Sequence, residues 1–198
     1  MAGQLDGKKI AILATDGVEQ AELLSPQEAL TKAGAKVDVI SLKTDAIQGF
    51  DHIMPDKKIA VDKALESVDA ADYDGLVLPG GAQNPDRLRM EPAVQAFVRA
   101  FFEAGKPVGA ICHAPWILID AGEAKGRTLT SYKTIRQDLR NAGAVVVDRE
   151  VVVDQGLITS RDPNDLPAFN AKLIEEFAEG RHGGQKHKAR EAERAGAH

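Results

Sequence analysis

Short apolar runs, each closed by a turn and followed at once by a segment with helical spacing, recur along the chain, and this alternation constrains its fold most. Lys8-Lys9-Ile10-Ala11-Ile12-Leu13-Ala14 runs into Thr15-Asp16-Gly17, and Glu19 to Ala33 then places Ala21, Leu24, Ala29 and Leu30 at helical intervals. Gly34 ends that helix, and Lys36 to Leu42 is the next strand, so the first forty residues read as one right-handed βαβ unit. Gly75-Leu76-Val77-Leu78-Pro79-Gly80-Gly81 repeats the pattern, followed by a helix burying Val94, Phe97, Val98, Phe101 and Phe102. Val108 to Cys112 is a fourth strand, and Pro115 to Ile119 starts another helix immediately. Shorter elements follow: a strand near Leu129, a helix from Thr134 to Asn141, and β-rich runs at Ala144 to Val147 and Val151 to Val153. Leu157 to Ser160 is the last strand, and Asp165 to Ala178 the last helix.

Strands that are apolar throughout, rather than alternating, belong to a sheet covered on both faces, which is a mainly parallel one. The expected fold is α/β, a flavodoxin-like doubly wound sandwich with helices on both faces. A chain of 198 residues with no internal repeat or second linker fits one domain, expected over 1–180. Residues 181–198 carry five Lys/Arg, two Glu and no apolar stripe, and are expected to be a polar, disordered tail. The net charge of −5 gives no support to a nucleic-acid surface. No apolar run approaches the ~20 residues of a membrane span, and the first seven residues lack the apolar core of a signal peptide, so a cytoplasmic location is expected. His182, His187 and His198 match no closed metal site, so no metal is expected. Neither G-x-G-x-x-G nor G-x-x-x-x-G-K-[ST] occurs, so nothing asks for a nucleotide, and no cofactor is expected.

In an open α/β sheet ligands sit at the carboxyl ends of the strands, which directs attention to three turns: Thr15 to Glu22, Pro79 to Asp86, and Cys112-His113. The one cysteine of the chain lies in Ala110-Ile111-Cys112-His113-Ala114, passing from strand to helix between small residues, as a nucleophile elbow does. A thiol there faces the unpaired N–H groups of a helix start, which favour thiolate. The plainer reading is a cysteine that packs at a strand end. His113 could act as base or acid, although neighbours on a sharp turn tend to point apart. Gly81 and His113 could offer N–H groups to an oxyanion, or Gly80-Gly81 could be an ordinary turn. Glu19 and Glu22, at the start of the first helix, are either dipole-favoured carboxylates or include one that faces the thiol, in which case it would be protonated and donate to sulfur. Asp86 could cap the helix it opens or orient a histidine.

These residues resemble the PfpI-type intracellular peptidases of the ThiJ/PfpI superfamily, related to class I glutamine amidotransferase domains. The resemblance spans roughly Lys8 to Phe177. It rests on Val18-Glu19-Gln20-Ala21-Glu22-Leu23, Leu76 to Gly81, Pro85 to Arg89, Gly105 to Val108, Ala110 to Pro115, Thr130-Ser131-Tyr132, and Glu150 to Asp154 with Thr159-Ser160-Arg161. It implies Cys112 as nucleophile, His113 as its partner, Glu22 as the carboxyl group touching the thiol, and Asp86 as the acid completing the triad, a Glu in the usual pattern. It also implies that this acid acts across a subunit interface of a homodimer, with dimers able to assemble into a hexamer. His113 and Tyr132, where the deglycase branch has Ala and often His, look like the peptidase branch, whose members are described both as peptidases and as deglycases.

Three function classes remain at this level. The favoured one is a cysteine-dependent stress-protection hydrolase acting on carbonyl substrates, removing methylglyoxal adducts, with an intracellular Cys-His-Asp peptidase as its alternative. The second is a non-enzymatic redox-responsive stress protein or chaperone whose thiol oxidises. The third is a nucleotide-binding domain, for which no motif speaks.

Overall fold

The structure is a computed structural model and describes residues 3–185. It begins with β1 (Lys9–Leu13), the two-residue β2 (Val18–Glu19), α1 (Gln20–Lys32) and β3 (Lys36–Ser41). A hairpin of β4 (Ala46–Asp51) and β5 (Met54–Ala60) leads to the short β6 (Lys63–Ala64). Then come β7 (Gly75–Leu78), α2 (Gln83–Leu88), α3 (Pro92–Glu103), β8 (Val108–Ile111) and α4 (Pro115–Asp120). The last third holds β9 (Thr128–Leu129), α5 (Arg136–Asn141), β10 (Val145–Val146), β11 (Val151–Asp154), β12 (Leu157–Ser160) and α6 (Leu166–Glu179).

The main sheet has seven strands in the order β11-β12-β8-β7-β1-β3-β6. All neighbours run parallel except β11 and β12. Successive side chains of a strand point to opposite faces, and here both faces are dry. Ala11 and Leu13 of β1, Leu76 and Leu78 of β7, and Ala110 of β8 join the cluster formed with α3 and α4. Ile10 and Ile12, Val77 and Ile111 join the other, with Leu23 and Leu30 of α1 and Phe169, Leu173 and Phe177 of α6. The doubly wound sandwich expected from the apolar runs is therefore the fold.

Residues 43–74 carried no expectation, and they hold the β4–β5 hairpin, extended by parallel pairing of β2 with β4. The Met54–Ala60 strand is exposed at every position but Ile59, and with Pro55 and two lysines it has edge-strand chemistry rather than an apolar signature. The strand expected near Leu129 forms as β9 but pairs with β10, outside the main sheet. Of the stretch expected as a polar tail, 181–185 lie against the domain: His182 N donates to Gly105 O at 2.7 Å, and Gln185 is fully buried, its carbonyl accepting from Arg127 Nη2 at 3.4 Å. The remaining part, 186–198, lies outside the described residues. Among the described residues no helix is long and apolar enough to cross a membrane.

Candidate active site

β1, β7 and β8 are adjacent and parallel, so their carboxyl ends bring the three suspected turns to one edge of the sheet. Cys112 follows β8 directly with φ of 63°, in the left-handed region that a side chain with a Cβ rarely adopts. Two backbone bonds hold it there: Cys112 N donates to Ser160 O at 3.1 Å, and Tyr132 N donates to Cys112 O at 2.9 Å. Such a conformation costs on the order of 1–3 kcal/mol and persists only where its surroundings over-determine it.

That turn also places His113. The two side chains, expected to diverge, converge instead, with His113 Nδ1 3.1 Å from Cys112 Sγ. The positive φ is the cause, because it rotates the residue before His113 off the extended path that sends neighbours to opposite sides. The imidazole stacks on Tyr132, with centroids 4.7 Å apart and planes at 28°, and meets the edge of Trp116 at 5.3 Å. Its Nε2 lies 3.2 Å from Thr134 Oγ1. Burial pushes the His113 pKa down, favouring the neutral ring.

Of the two glutamates, Glu22 faces the thiol. It is fully buried in the first turn of α1, and its Oε2 accepts from Gly80 N at 2.8 Å. Its carboxyl interacts with the Cys112 thiol, and Oε1 has no hydrogen-bond partner among the described residues. Burial raises its pKa to about 8, against the pull of the Gly80 N–H and the thiol, and the charges of Glu19 and Asp162 add to the rise. For Cys112, burial and a charged Glu22 push the thiol up, while the N–H groups of Gly81 and His113 pull it down. Once Glu22 holds a proton its charge no longer opposes the thiolate, and the pair shares that proton as one titrating unit. The expected protonated carboxyl beside sulfur is thus the form that burial favours.

The glycine pair is required by crowding. A Cβ at Gly80 would lie 2.5 Å from Glu22 Oε2 and 2.6 Å from Cys112 Cβ. Gly81 has φ of 80°, and a Cβ there would lie 2.5 Å from Gly17 O. With these glycines the backbone approaches closely enough for the Gly81 and His113 N–H groups to pull the thiol pKa down.

A family model described as the DJ-1/PfpI family matches residues 8–176. The chain belongs to the DJ-1/PfpI family. It is 44% identical over 168 residues to Protein/nucleic acid deglycase 2 of Escherichia coli, covering 84% of this chain and 96% of that one. It is 47% identical over 167 residues to a Bacillus subtilis protein named "Putative cysteine protease YraA", covering 84% and 96%. Among solved structures, Drosophila melanogaster DJ-1beta superposes with a TM-score of 0.80 at 32% identity, covering 95% of this chain and 96% of that one.

Not every suspected residue in this DJ-1/PfpI chain joins the thiol. Glu19 is buried, but its Oε2 accepts from His52 N at 2.9 Å and so ties α1 to the hairpin. Tyr132 contributes its backbone N–H and its ring, as above. Asp86 is exposed in the first turn of α2, which begins at Gln83, so it does not cap that helix. Its carboxylate makes no hydrogen bond or ion pair among the described residues, and both His113 nitrogens face other groups. Two groups have ligand atoms within 4.8 Å of one another, as a cation would need: Glu19 with Asp51 and His52, and Glu176 with Glu179 and His182. Neither contains Cys112.

Three neighbours escape sequence reasoning. Thr134 and Trp116 flank the imidazole from elements legible only as helices. Asn84 is fully buried: its Oδ1 accepts from Thr15 N at 2.7 Å, and its Nδ2 donates to Pro79 O and Gly80 O at 2.8 and 3.1 Å. It staples the glycine turn to the end of β1. The available signal was an asparagine before a proline in a suspected turn. Asn84→Ala leaves the Thr15 N–H buried and unpaired, and is expected to destabilise the fold by about 2 kcal/mol in urea unfolding. A cleft of about 380 Å³ opens beside Tyr132, lined by Lys133, Arg136, Asp148, Arg161 and Asp162.

Proposed function

We propose that this chain is a cysteine-dependent hydrolase that removes carbonyl adducts of the methylglyoxal type. The observation that carries the reading is the placement of Cys112 on a left-handed turn at the end of β8, crowded against Gly80 together with the buried Glu22 carboxyl. The sulfur takes the place of the amine or thiol on the carbinol carbon of the adduct, Glu22, as the protonated acid, giving its proton to the departing heteroatom. The hydrogen of that carbon then moves as a proton to the neighbouring ketone carbon, leaving a thioester whose oxygen lies beside the N–H groups of Gly81 and His113. Water then releases the product and restores the thiol. The deglycase name of the Escherichia coli relative supports the same chemistry.

A peptidase is the second reading. It draws on the 3.1 Å contact between His113 Nδ1 and Cys112 Sγ and on the name of the Bacillus subtilis relative. An amine leaving group needs a well-held acid; Asp86 makes no bond to His113 within the chain, and the family resemblance implies that this acid acts across the interface of a homodimer. The readings separate in one experiment. The protein is given a methylglyoxal hemithioacetal or aminocarbinol and, separately, a fluorogenic peptide amide, before and after alkylation with iodoacetamide. Loss of the adduct that stops on alkylation, with the amide untouched, is expected. Adduct turnover that survives full alkylation sinks the proposal.

A further inference from the structure

We infer that Thr134 is the positioning residue that sets the tautomer of His113, its hydroxyl holding the nitrogen remote from the thiol. The inference rests on Cys112 being the nucleophile. An imidazole has two nitrogens, and here each faces one protein group: Nδ1 faces Cys112 Sγ at 3.1 Å, and Nε2 faces Thr134 Oγ1 at 3.2 Å. To take the thiol proton, Nδ1 must present its lone pair, so the ring hydrogen must be on Nε2. Thr134 Oγ1 is the acceptor in place for that hydrogen. After the transfer the ring is an imidazolium, with Nδ1–H donating to the thiolate and Nε2–H still donating to Thr134. One acceptor therefore serves both states, and the proton passes between sulfur and Nδ1 with nothing else moving. A hydroxyl that donated to Nε2 would instead leave the ring hydrogen on Nδ1, where it blocks the base. Thr134 is exposed, so its own hydrogen is free to turn to water.

The surroundings keep this arrangement from rearranging. A half-turn of the ring about Cβ–Cγ would keep the stack on Tyr132 but set carbons where both nitrogens now stand, so the contacts with Cys112 Sγ and Thr134 Oγ1 fix its orientation. Thr134 lies in the helical turn Lys133–Ile135, directly after Tyr132, whose N–H is bonded to the Cys112 carbonyl. The hydroxyl and the thiol are thus fixed to one another through three residues of backbone. Among the described residues no charged side chain hydrogen-bonds the ring, and Glu22 interacts with the thiol rather than the imidazole. Asp86 makes no such bond within the chain.

The test compares T134V, which keeps shape and loses the acceptor, with T134S, which keeps the acceptor. Two readouts are taken: the pH profile of iodoacetamide labelling of Cys112, and kcat and KM for methylglyoxal adducts. T134V is expected to move the labelling profile up by as much as about one pH unit and to lower kcat about tenfold at unchanged KM, the worth of one hydrogen bond to a charging group. T134S is expected to restore both. A T134V profile that coincides with that of the unaltered protein overturns the inference, and so does an equal shift in T134V and T134S, which would mark packing. If no variant turns over adducts yet T134V alone shifts the labelling profile, the proposed substrate fails while the role of Thr134 stands.

Discussion

Replacing Cys112 with alanine is expected to lower turnover of carbonyl adducts by about 10⁴-fold or more, since removal of a nucleophile costs this much or more where the remaining groups act as a unit with it. The residual rate would come from the Gly81 and His113 N–H groups, which stay in place because Cys112 N and O are held by Ser160 and Tyr132 through backbone atoms alone. Alanine suits the position as well as cysteine does, both carrying a Cβ at positive φ. The urea midpoint should therefore move little, which separates loss of chemistry from loss of fold. Turnover within tenfold of the unaltered protein would mean that the sulfur is not the attacking atom.

Glu22→Gln is expected to act on stability and activity in opposite directions. The carboxyl has its pKa raised from 4.5 to about 8 by burial. Between those values the folded protein holds a proton that the unfolded chain releases, so this group's contribution is fully present below pH 4.5 and is lost as pH rises towards 8. A shift of this size corresponds to about 4 kcal/mol at the upper end of the window. Glutamine keeps an oxygen for the Gly80 N–H and never ionises. The variant should therefore be the more stable protein at pH 8 by several kcal/mol, with the difference shrinking towards pH 5. Its turnover should fall by about 10²-fold, because the amide cannot give up a proton to the leaving group. Urea unfolding across pH 5 to 8 reads the first effect, and a stability difference that does not vary with pH would show that Glu22 does not carry the proton.

The order of strands and helices was legible because the sheet is dry on both faces, so its inner strands β1, β7 and β8 are short runs that are apolar almost throughout. The hairpin Ala46–Ala60 was not, since β5 covers no core and its Pro55 and lysines look like loop. At the site, Cys112, Glu22 and the glycines could be found from their turns, because strand ends in such a sheet converge. Distances between side chains of adjacent residues could not. That Cys112 Sγ and His113 Nδ1 meet depends on one backbone angle, and that angle is held by bonds to residues about twenty and fifty positions further on. Thr134 lay beyond reach for the same reason, since nothing in a helical turn announces which ring its hydroxyl will face.

The elbow at Cys112 has a consequence for the order in which a nascent chain acquires reactivity. Its N–H is bonded to the carbonyl of Ser160 at the end of β12, and its carbonyl to Tyr132 N. A ribosome-bound fragment ending before β12 would already contain the thiol, the histidine and both glutamates, but the left-handed turn would not be fixed. The proposed nucleophile would thus be assembled last, by the C-terminal third of the chain, and an unfinished copy would carry an ordinary cysteine.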